Sequence, residues 1–129
     1  MKKPQLSATV ITLHPELFPG PLSASVTGRA LEKKIWSLET IDLRVCGKGK
    51  HKQVDDKPIS GGPGMVLRPD VLDRALQQAS RSVTDTKKLI VCMSPKGIPF
   101  TQNTAKKLLQ YNEMIIVCGR FEGIDQRVI

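Results

Sequence analysis

The sequence has few of the side chains that catalytic and nucleic-acid-binding sites commonly use. Aromatic residues make up only 4% of the chain, which argues against a module that stacks single-stranded bases on aromatic platforms. The three cysteines are far apart and form no C-x-x-C pair, which excludes a disulfide framework and a four-cysteine zinc site. With only two histidines, His14 and His51, a histidine-based metal site would lack ligands. We therefore expect no metal and a reducing environment.

Several longer signals are missing as well. The chain has no G-x-x-x-x-G-K-[ST] phosphate loop, no G-x-G-x-x-G motif and no G-x-S-x-G nucleophile elbow, so the common nucleotide-binding and serine-hydrolase classes are disfavoured. No apolar run has the length of a membrane span. The short apolar run near the amino terminus meets His14, Pro15 and Glu16 instead of a cleavage site. These absences predict a cytoplasmic protein without a membrane partner.

Basic residues, by contrast, are plentiful. In a chain of 129 residues, 20 Lys and Arg against 12 Asp and Glu give a formal net charge of +8. The densest basic segment is residues 44–52, with Arg44, Lys48, Lys50, His51 and Lys52. A basic domain is typical of proteins with a polyanionic partner such as nucleic acid. A solvated, flexible loop would carry the same residues, and charge alone leaves both interpretations open.

Hydrophobic periodicity predicts alternating strands and helices. Apolar runs at 8–13, 89–93 and 114–118 have the pattern of strands buried on both faces of a parallel sheet, while the alternating residues 41–46 have that of a more exposed strand. Helical spacing predicts helices over 27–36, 68–80 and 101–111, with Thr27 and Thr101 as caps. The length is that of one domain. This order predicts an α/β fold with a largely parallel sheet and flanking helices.

Three loops follow the carboxyl ends of predicted strands, where α/β sheets bind ligands. The first is a stretch of about twenty residues after residue 46, longer than most loops that lack a function. The second, S-P-K-G at 94–97, is predicted to be a turn in which Gly97 permits a positive φ and backbone amides can be left for a ligand, although an ordinary turn has the same sequence. The third places Arg120, Phe121 and Glu122 between two glycines. A recognition site explains that concentration better than stability does, because a surface ion pair contributes little.

Taken together, six segments resemble the bacterial tRNA (guanine-N1)-methyltransferase family, the TrmD type. They are T-L-H-P-E-L-F (12–18), S-V-T-G-R-A-L (25–31), H-K-Q-V-D-D-K-P (51–58), G-G-P-G-M (61–65), S-P-K-G (94–97) and C-G-R-F-E-G-I-D-Q-R-V-I (118–129). The segments stand in the family's order at compatible spacing and span nearly the whole chain. The last is the most specific, whereas G-G-P-G-M alone is weak.

The resemblance implies an enzyme that transfers a methyl group from S-adenosyl-L-methionine to N1 of the guanosine 3′ to the anticodon of tRNA. It also implies a homodimer with the SPOUT-type fold, an α/β sheet threaded into a trefoil knot, which is a rare exception to the rule that chains stay unknotted. Residues 1–129 would be the N-terminal, cofactor-binding part of this methyltransferase domain. We expect the chain to stop before the knot is complete and before a helical C-terminal domain.

Carried over position by position, the resemblance also assigns a site. Cofactor binding is expected at Met93, Ser94, Pro95, Gly97, Gly119, Arg120, Phe121 and Gly123. A side chain at Gly119 would obstruct the cofactor. Glu122 is assigned a catalytic role, either favouring the cationic cofactor or orienting the guanine. The residues expected to face tRNA or the second subunit are Lys50, Lys52, Asp55 and Gly62.

The sequence departs from the family pattern in several respects. Ser60 stands where the family usually has glycine, Ile59 where it has an aromatic residue, and Phe121 where it often has tyrosine. The family also continues beyond the position of Ile129, through a second glycine-rich segment and the aspartate that it uses as general base. We therefore expect this chain alone to be inactive. A non-catalytic basic RNA-binding α/β domain, with salt-sensitive and cofactor-independent binding, is the alternative.

Overall fold

The computed structural model describes residues 4–47, 55–56, 66–81 and 88–119. The helices and strands in chain order are β1 (Leu6–Thr12), α1 (Ser25–Glu32), β2 (Trp36–Asp42), β3 (Asp55–Asp56), β4 (Val66–Leu67), α2 (Pro69–Arg81), β5 (Lys88–Met93), α3 (Gln102–Leu108) and β6 (Glu113–Cys118). Short 3₁₀ turns occupy Pro15–Leu17, Gly20–Ser23 and Leu43–Cys46. This alternation confirms the predicted α/β class.

Four of these strands form one parallel sheet in the order β2-β1-β6-β5. β1 lies inside the sheet, with Ile11 opposite Ile41 on one side and Val117 on the other. The last strand in the described sequence, β6, is inserted between β1 and β5. Because all four strands run in the same direction, their carboxyl ends lie at one edge of the sheet.

The core lies between the sheet and α2. Pro69 opens that helix at a position where its missing N–H needs no partner. The helix then buries residues at helical spacing, Val71, Leu72, Ala75 and Ala79. Each large aliphatic side chain buried here contributes about 1.5–3 kcal/mol. The cluster as a whole consists of Ile11, Leu13, Ile41, Leu43, Cys46, Val71, Leu72, Ala75, Ala79, Ile115 and Val117.

The prediction of a strand over residues 41–46 is wrong in its second half. β2 ends at Asp42, and the chain then forms the Leu43–Cys46 turn. The Asp42 carboxylate accepts a hydrogen bond from the backbone N–H of Arg44 at 2.9 Å, which competes with extension of the strand. Leu43 and Cys46 are both buried, whereas Val45, which an alternating strand would place on the same face as Leu43, is 68% exposed.

The first helix also differs from its prediction at both ends. α1 begins at Ser25, so Thr27 lies inside it and its hydroxyl donates to the Ala24 carbonyl at 3.1 Å instead of capping. The helix ends where Lys34 adopts a φ of +61°. There the N–H of Lys34 donates to the Leu31 carbonyl at 3.0 Å and that of Ile35 to the Ala30 carbonyl at 2.9 Å. This pair of bonds is a Schellman motif, which closes the helix before Trp36 starts β2.

The predictions for α2 and α3 are largely confirmed, whereas that for the burial of β5 is wrong. α2 and α3 lie close to their predicted positions, and Thr101 caps α3 through a 3.2 Å hydrogen bond from the N–H of Thr104. Leu109, inside the predicted range 101–111, follows the end of α3 and is 79% exposed. β5, predicted to be buried on both faces, is an edge strand of the described sheet with exposed positions along its length. The knot expected from the resemblance stays a prediction.

Candidate functional site

Two of the predicted ligand-binding loops meet at the carboxyl edge of the sheet. β5 and β6 are paired in parallel, with Met93 opposite Cys118, so residues 94–97 and Gly119 follow directly from neighbouring strand ends. Neighbouring strands lie about 4.7–4.9 Å apart. Met93 is 58% exposed, and Gly119 is exposed as well. The part of the predicted cofactor site that the structure describes is therefore compact and open to solvent.

The turn after β5 is organised by Ser94. Its Oγ accepts a hydrogen bond from the N–H of Lys96 at 3.1 Å, and its carbonyl oxygen accepts one from the N–H of Gly97 at 3.2 Å. Two of the amides that were expected to be left for a ligand are therefore used inside the turn. Pro95, between them, is exposed.

Gly97 does not adopt the positive φ that glycine permits. A Cβ at this position would instead lie 3.3 Å from the Ser94 carbonyl oxygen, tighter than most real contacts of that atom. A side chain at position 97 would therefore require the Ser94 carbonyl to move by a few tenths of an ångström.

The two cysteines of this region do not form a reactive pair. In the register of β5 and β6, Cys92 lies opposite Val117 and Cys118 lies opposite Met93. Side chains alternate between the faces of a sheet, so the two thiols lie on opposite faces. Burial raises the pKa of both Cys92 and Cys118. Both thiols therefore stay protonated at neutral pH, which makes them poor nucleophiles.

A further polar pair at the same edge was not found by sequence reasoning. After β1, the N–H of His14 donates to the Thr12 hydroxyl at 3.0 Å, and His14 Nδ1 lies 2.9 Å from Glu16 Oε1. A backbone hydrogen bond, followed by the one with His14 and the charge of Arg44, lowers the pKa of Glu16. The H-P-E sequence could have indicated this pair, because the proline opens a 3₁₀ turn that brings the side chains on either side of it together.

Arg44 is bound to the end of β1. Its Nη1 donates to the Leu13 carbonyl oxygen at 2.6 Å, across 31 residues of sequence. The sequence places this side chain in the basic segment 44–52, for which a polyanionic partner and a solvated loop were both open interpretations. Its guanidinium instead connects the carboxyl end of β1 to the Leu43–Cys46 turn, which fixes that part of the sheet edge.

The remaining predicted site residues are placed only in part. Asp55 lies in β3, which pairs antiparallel with β4 so that Asp55 is opposite Leu67. This short ladder lies within the long loop predicted after residue 46. Several predicted residues lie outside the described part of the chain, namely Lys50, Lys52, Gly62, Arg120, Phe121, Glu122 and Gly123. Their assignments stay predictions.

No group of three or more His, Cys, Asp or Glu side chains in the described part of the chain has an arrangement that could hold a metal ion. Nor does any helix in the described ranges combine the length and apolar character needed to cross a membrane.

Comparison with known proteins gives one consistent family. A family model described as tRNA (Guanine-1)-methyltransferase TrmD matches residues 6–129. A protein named tRNA (guanine-N(1)-)-methyltransferase from Jannaschia sp. (strain CCS1) is 55% identical over 124 residues, covering 95% of this chain and 50% of that protein. Proteins of the same name from Ehrlichia canis (strain Jake) and Cereibacter sphaeroides (strain KD131) are 47% and 49% identical, covering 96% and 100% of this chain. The chain spans about half the length of these curated relatives, 50% to 53%.

Proposed function

Because this chain belongs to the tRNA (guanine-1)-methyltransferase family, we propose that it contributes to methyl transfer from S-adenosylmethionine to N1 of the guanosine 3′ to the anticodon of tRNA. The observation that supports this most directly is the pairing of β5 with β6, which brings residues 94–97 and Gly119 to one sheet edge. These are the two loops to which the family resemblance assigns the cofactor.

The described residues leave space for a cofactor at the ends of β5 and β6. Gly119 has no side chain to block the end of β6, and Met93 is 58% exposed beside it. The tight Ser94 turn gives the neighbouring loop a fixed shape through two internal hydrogen bonds. When bound, S-adenosylmethionine supplies an activated methyl group on a sulfonium centre. Our proposal assigns to this chain the task of holding that group in line with the nucleophile, since alignment alone supplies about 7–11 kcal/mol.

Guanine N1 carries a proton that must leave during transfer, so the reaction needs a carboxylate base. The family places its base, an aspartate, beyond the position of Ile129. We propose that Glu122 assists by orienting the guanine or favouring the cationic cofactor.

Substrate binding is proposed for the long loop between β2 and α2. Lys50, Lys52, Asp55 and Gly62 would face tRNA or a second subunit, and the net charge of +8 favours a polyanion. We propose that the enzyme works as a homodimer in the cytoplasm, where its tRNA substrate is found.

A calorimetric titration with S-adenosylmethionine tests the cofactor site in the protein at its natural length. We expect Gly119→Val to abolish binding, because the new side chain would occupy the end of β6, and we expect the unfolding temperature to change little. Gln110→Val, which adds the same side chain at an exposed position outside the sheet edge, is the matched control. Normal cofactor affinity in the Gly119 variant would refute the placement of the pocket.

A second measurement separates the methyltransferase from the RNA-binding alternative. Transfer of labelled methyl to tRNA should vanish when the guanosine 3′ to the anticodon is replaced by another base. Undiminished transfer would contradict the N1-guanine assignment. Salt-sensitive RNA binding without any cofactor binding would instead favour the non-catalytic RNA-binding domain.

A further inference from the structure

Cations collect at the amino edge of the sheet, opposite the edge that carries the candidate cofactor site. Each helix returns the chain from the carboxyl end of one parallel strand to the amino end of the next, so α1, α2 and α3 all end near this edge. The exposed cations at these helix ends and at the start of β5 are Lys33, Lys34, Arg81, Lys88, Lys106 and Lys107. Among the described residues of this edge the acids are Glu32, which is exposed, and Glu113, which is buried.

Two backbone contacts with the start of β1 hold the turns of this edge side by side. The N–H of Gln5 donates to the Ile35 carbonyl oxygen at 2.8 Å. The N–H of Ser7 donates to the Asn112 carbonyl oxygen, also at 2.8 Å. The turn after α1 and the turn after α3 are therefore fixed on either side of the same strand, together with the cations that they carry.

The cations form a row along the edge and do not converge on one point. Lys33 and Lys34 lead into β2 at one side of the sheet, and Lys88 begins β5 at the other. In the order β2-β1-β6-β5 these outer strands are separated by three strand spacings, about 14–15 Å. A single small anion would contact only part of such a row, whereas a nucleic-acid backbone carries charges at short intervals along its length.

The positive charge of this row is largely uncompensated in the described part of the chain. The cations of the row that form no ion pair with the described residues are Lys33, Arg81, Lys88, Lys106 and Lys107. Cations at the carboxyl end of a helix also stabilise the fold, since each such end carries about half a negative charge. Three helix ends account for about one and a half charges, and Lys88 begins a strand instead. Most of the positive charge therefore remains to attract a partner.

We propose that the amino edge of the sheet is a second contact surface for tRNA, which binds backbone phosphates away from the reacting base. This inference rests on the proposed function, which makes tRNA the substrate. The 7 residues of β1 separate this edge from the carboxyl edge by about 20 Å. Contacts here add affinity and orientation without touching the guanine or the cofactor, and they are independent of nucleotide sequence.

The salt dependence of tRNA binding by the protein at its natural length is the first test. We expect the triple variant Lys33→Gln, Lys88→Gln and Lys107→Gln to bind tRNA about tenfold more weakly, with a slope of log K against log salt that is smaller by about two to three units. The matched control replaces the same three residues by arginine, which keeps the charges and should bind within about twofold of the unsubstituted protein. An unchanged slope in the glutamine variant would overturn the proposal.

A change of opposite sign separates substrate binding from a purely structural role of the cations. Glu32→Gln removes the exposed acid from the same edge, so we expect tRNA binding to become about twofold stronger. If the lysines served only the helix ends, the glutamine variant would unfold at a lower temperature and bind tRNA with an unchanged salt slope. That combination, or weaker tRNA binding by Glu32→Gln, would contradict the proposal.

Hydroxyl-radical footprinting of tRNA at saturating protein tests where this surface binds. We expect the glutamine variant to lose protection in a stem of the tRNA and to keep it around the target guanosine, because the two edges of the sheet are about 20 Å apart. Loss of protection only around the target guanosine would overturn the remote placement. If the unsubstituted protein neither binds nor methylates tRNA, the proposed function fails instead, and this result is obtained before any variant is made.

Discussion

Gly28 provides the sharpest test of how the motif S-V-T-G-R-A-L shapes this fold. The residue lies in α1 and is buried against the Gly20–Ser23 turn. A Cβ at position 28 would overlap the carbonyl carbon and oxygen of Ser23. These are backbone atoms, which cannot rotate away as the end of a side chain can. The Ser23 hydroxyl is itself bound to the Gly20 carbonyl at 2.8 Å, which limits movement of the turn.

Two effects of Gly28→Ala oppose each other. Alanine inside a helix is favoured over glycine by about 0.5–1 kcal/mol. Forcing a methyl group into a packed contact costs about 1–3 kcal/mol. Because the clash involves backbone atoms, we expect the packing cost to exceed the gain in helix propensity. The net loss of about 1–2 kcal/mol would lower the unfolding temperature by about 3–8 °C for a chain of this size.

Thermal and urea unfolding followed by circular dichroism measure this difference. Arg29→Ala, at the exposed neighbouring position, is the control, and we expect its stability to stay within about 0.5 kcal/mol of the unsubstituted protein. An increase in stability for Gly28→Ala would show that helix propensity dominates. That result would refute the close contact between α1 and the Ser23 carbonyl.

Two further predictions concern the backbone after α1 and the polar pair after β1. Lys34→Gly should stabilise the protein by about 1 kcal/mol, because Lys34 has a φ of +61° that glycine adopts without the steric penalty of a Cβ atom. Lys34→Ala keeps that penalty, so we expect urea unfolding to show no gain in its stability. An equal gain for both variants would contradict the explanation. The pKa of Glu16 is lowered mainly by a backbone hydrogen bond and next by the hydrogen bond with His14. In His14→Ala, we therefore expect NMR titration to give a Glu16 pKa that is higher than in the unsubstituted protein but still below the ordinary value. A depressed carboxyl pKa stabilises the fold at pH values above the ordinary pKa, and this contribution is lost as the pH falls through the folded-state value. An unchanged Glu16 pKa in the variant would show that His14 does not act on it.

Local sequence patterns predicted those elements whose own residues determine them. The apolar runs of β1, β5 and β6 predicted strands, and the spacing of Val71, Leu72, Ala75 and Ala79 in α2 predicted the face of that helix that is buried. The start of α3 could also be predicted from Thr101, because its capping hydrogen bond is local and reaches only to Thr104. The candidate loops could be located because they follow these strands along the chain.

The segment after β2 shows where such patterns fail. Residues 41–46 alternate in polarity as a strand does, yet Leu43 and Cys46 are the pair that becomes buried. A separation of three residues matches one 3₁₀ turn, and this period becomes favourable only when α2 is present to cover both side chains. The bond from Asp42 to the Arg44 amide adds a local preference that hydrophobic alternation does not register.

The sequence by itself thus determined the α/β class, the family resemblance and the loops that carry the candidate site, because these depend on residue types and short spacings. Only the tertiary structure decided that β6 lies between β1 and β5, and that Met93 and Cys118 are neighbours at one edge. It also decided that Arg44 binds Leu13 and that Arg74 binds Cys46, across 31 and 28 residues of sequence. Each of these contacts forms when distant segments pack on a shared core, and no periodicity within a single segment encodes which distant partner it will meet.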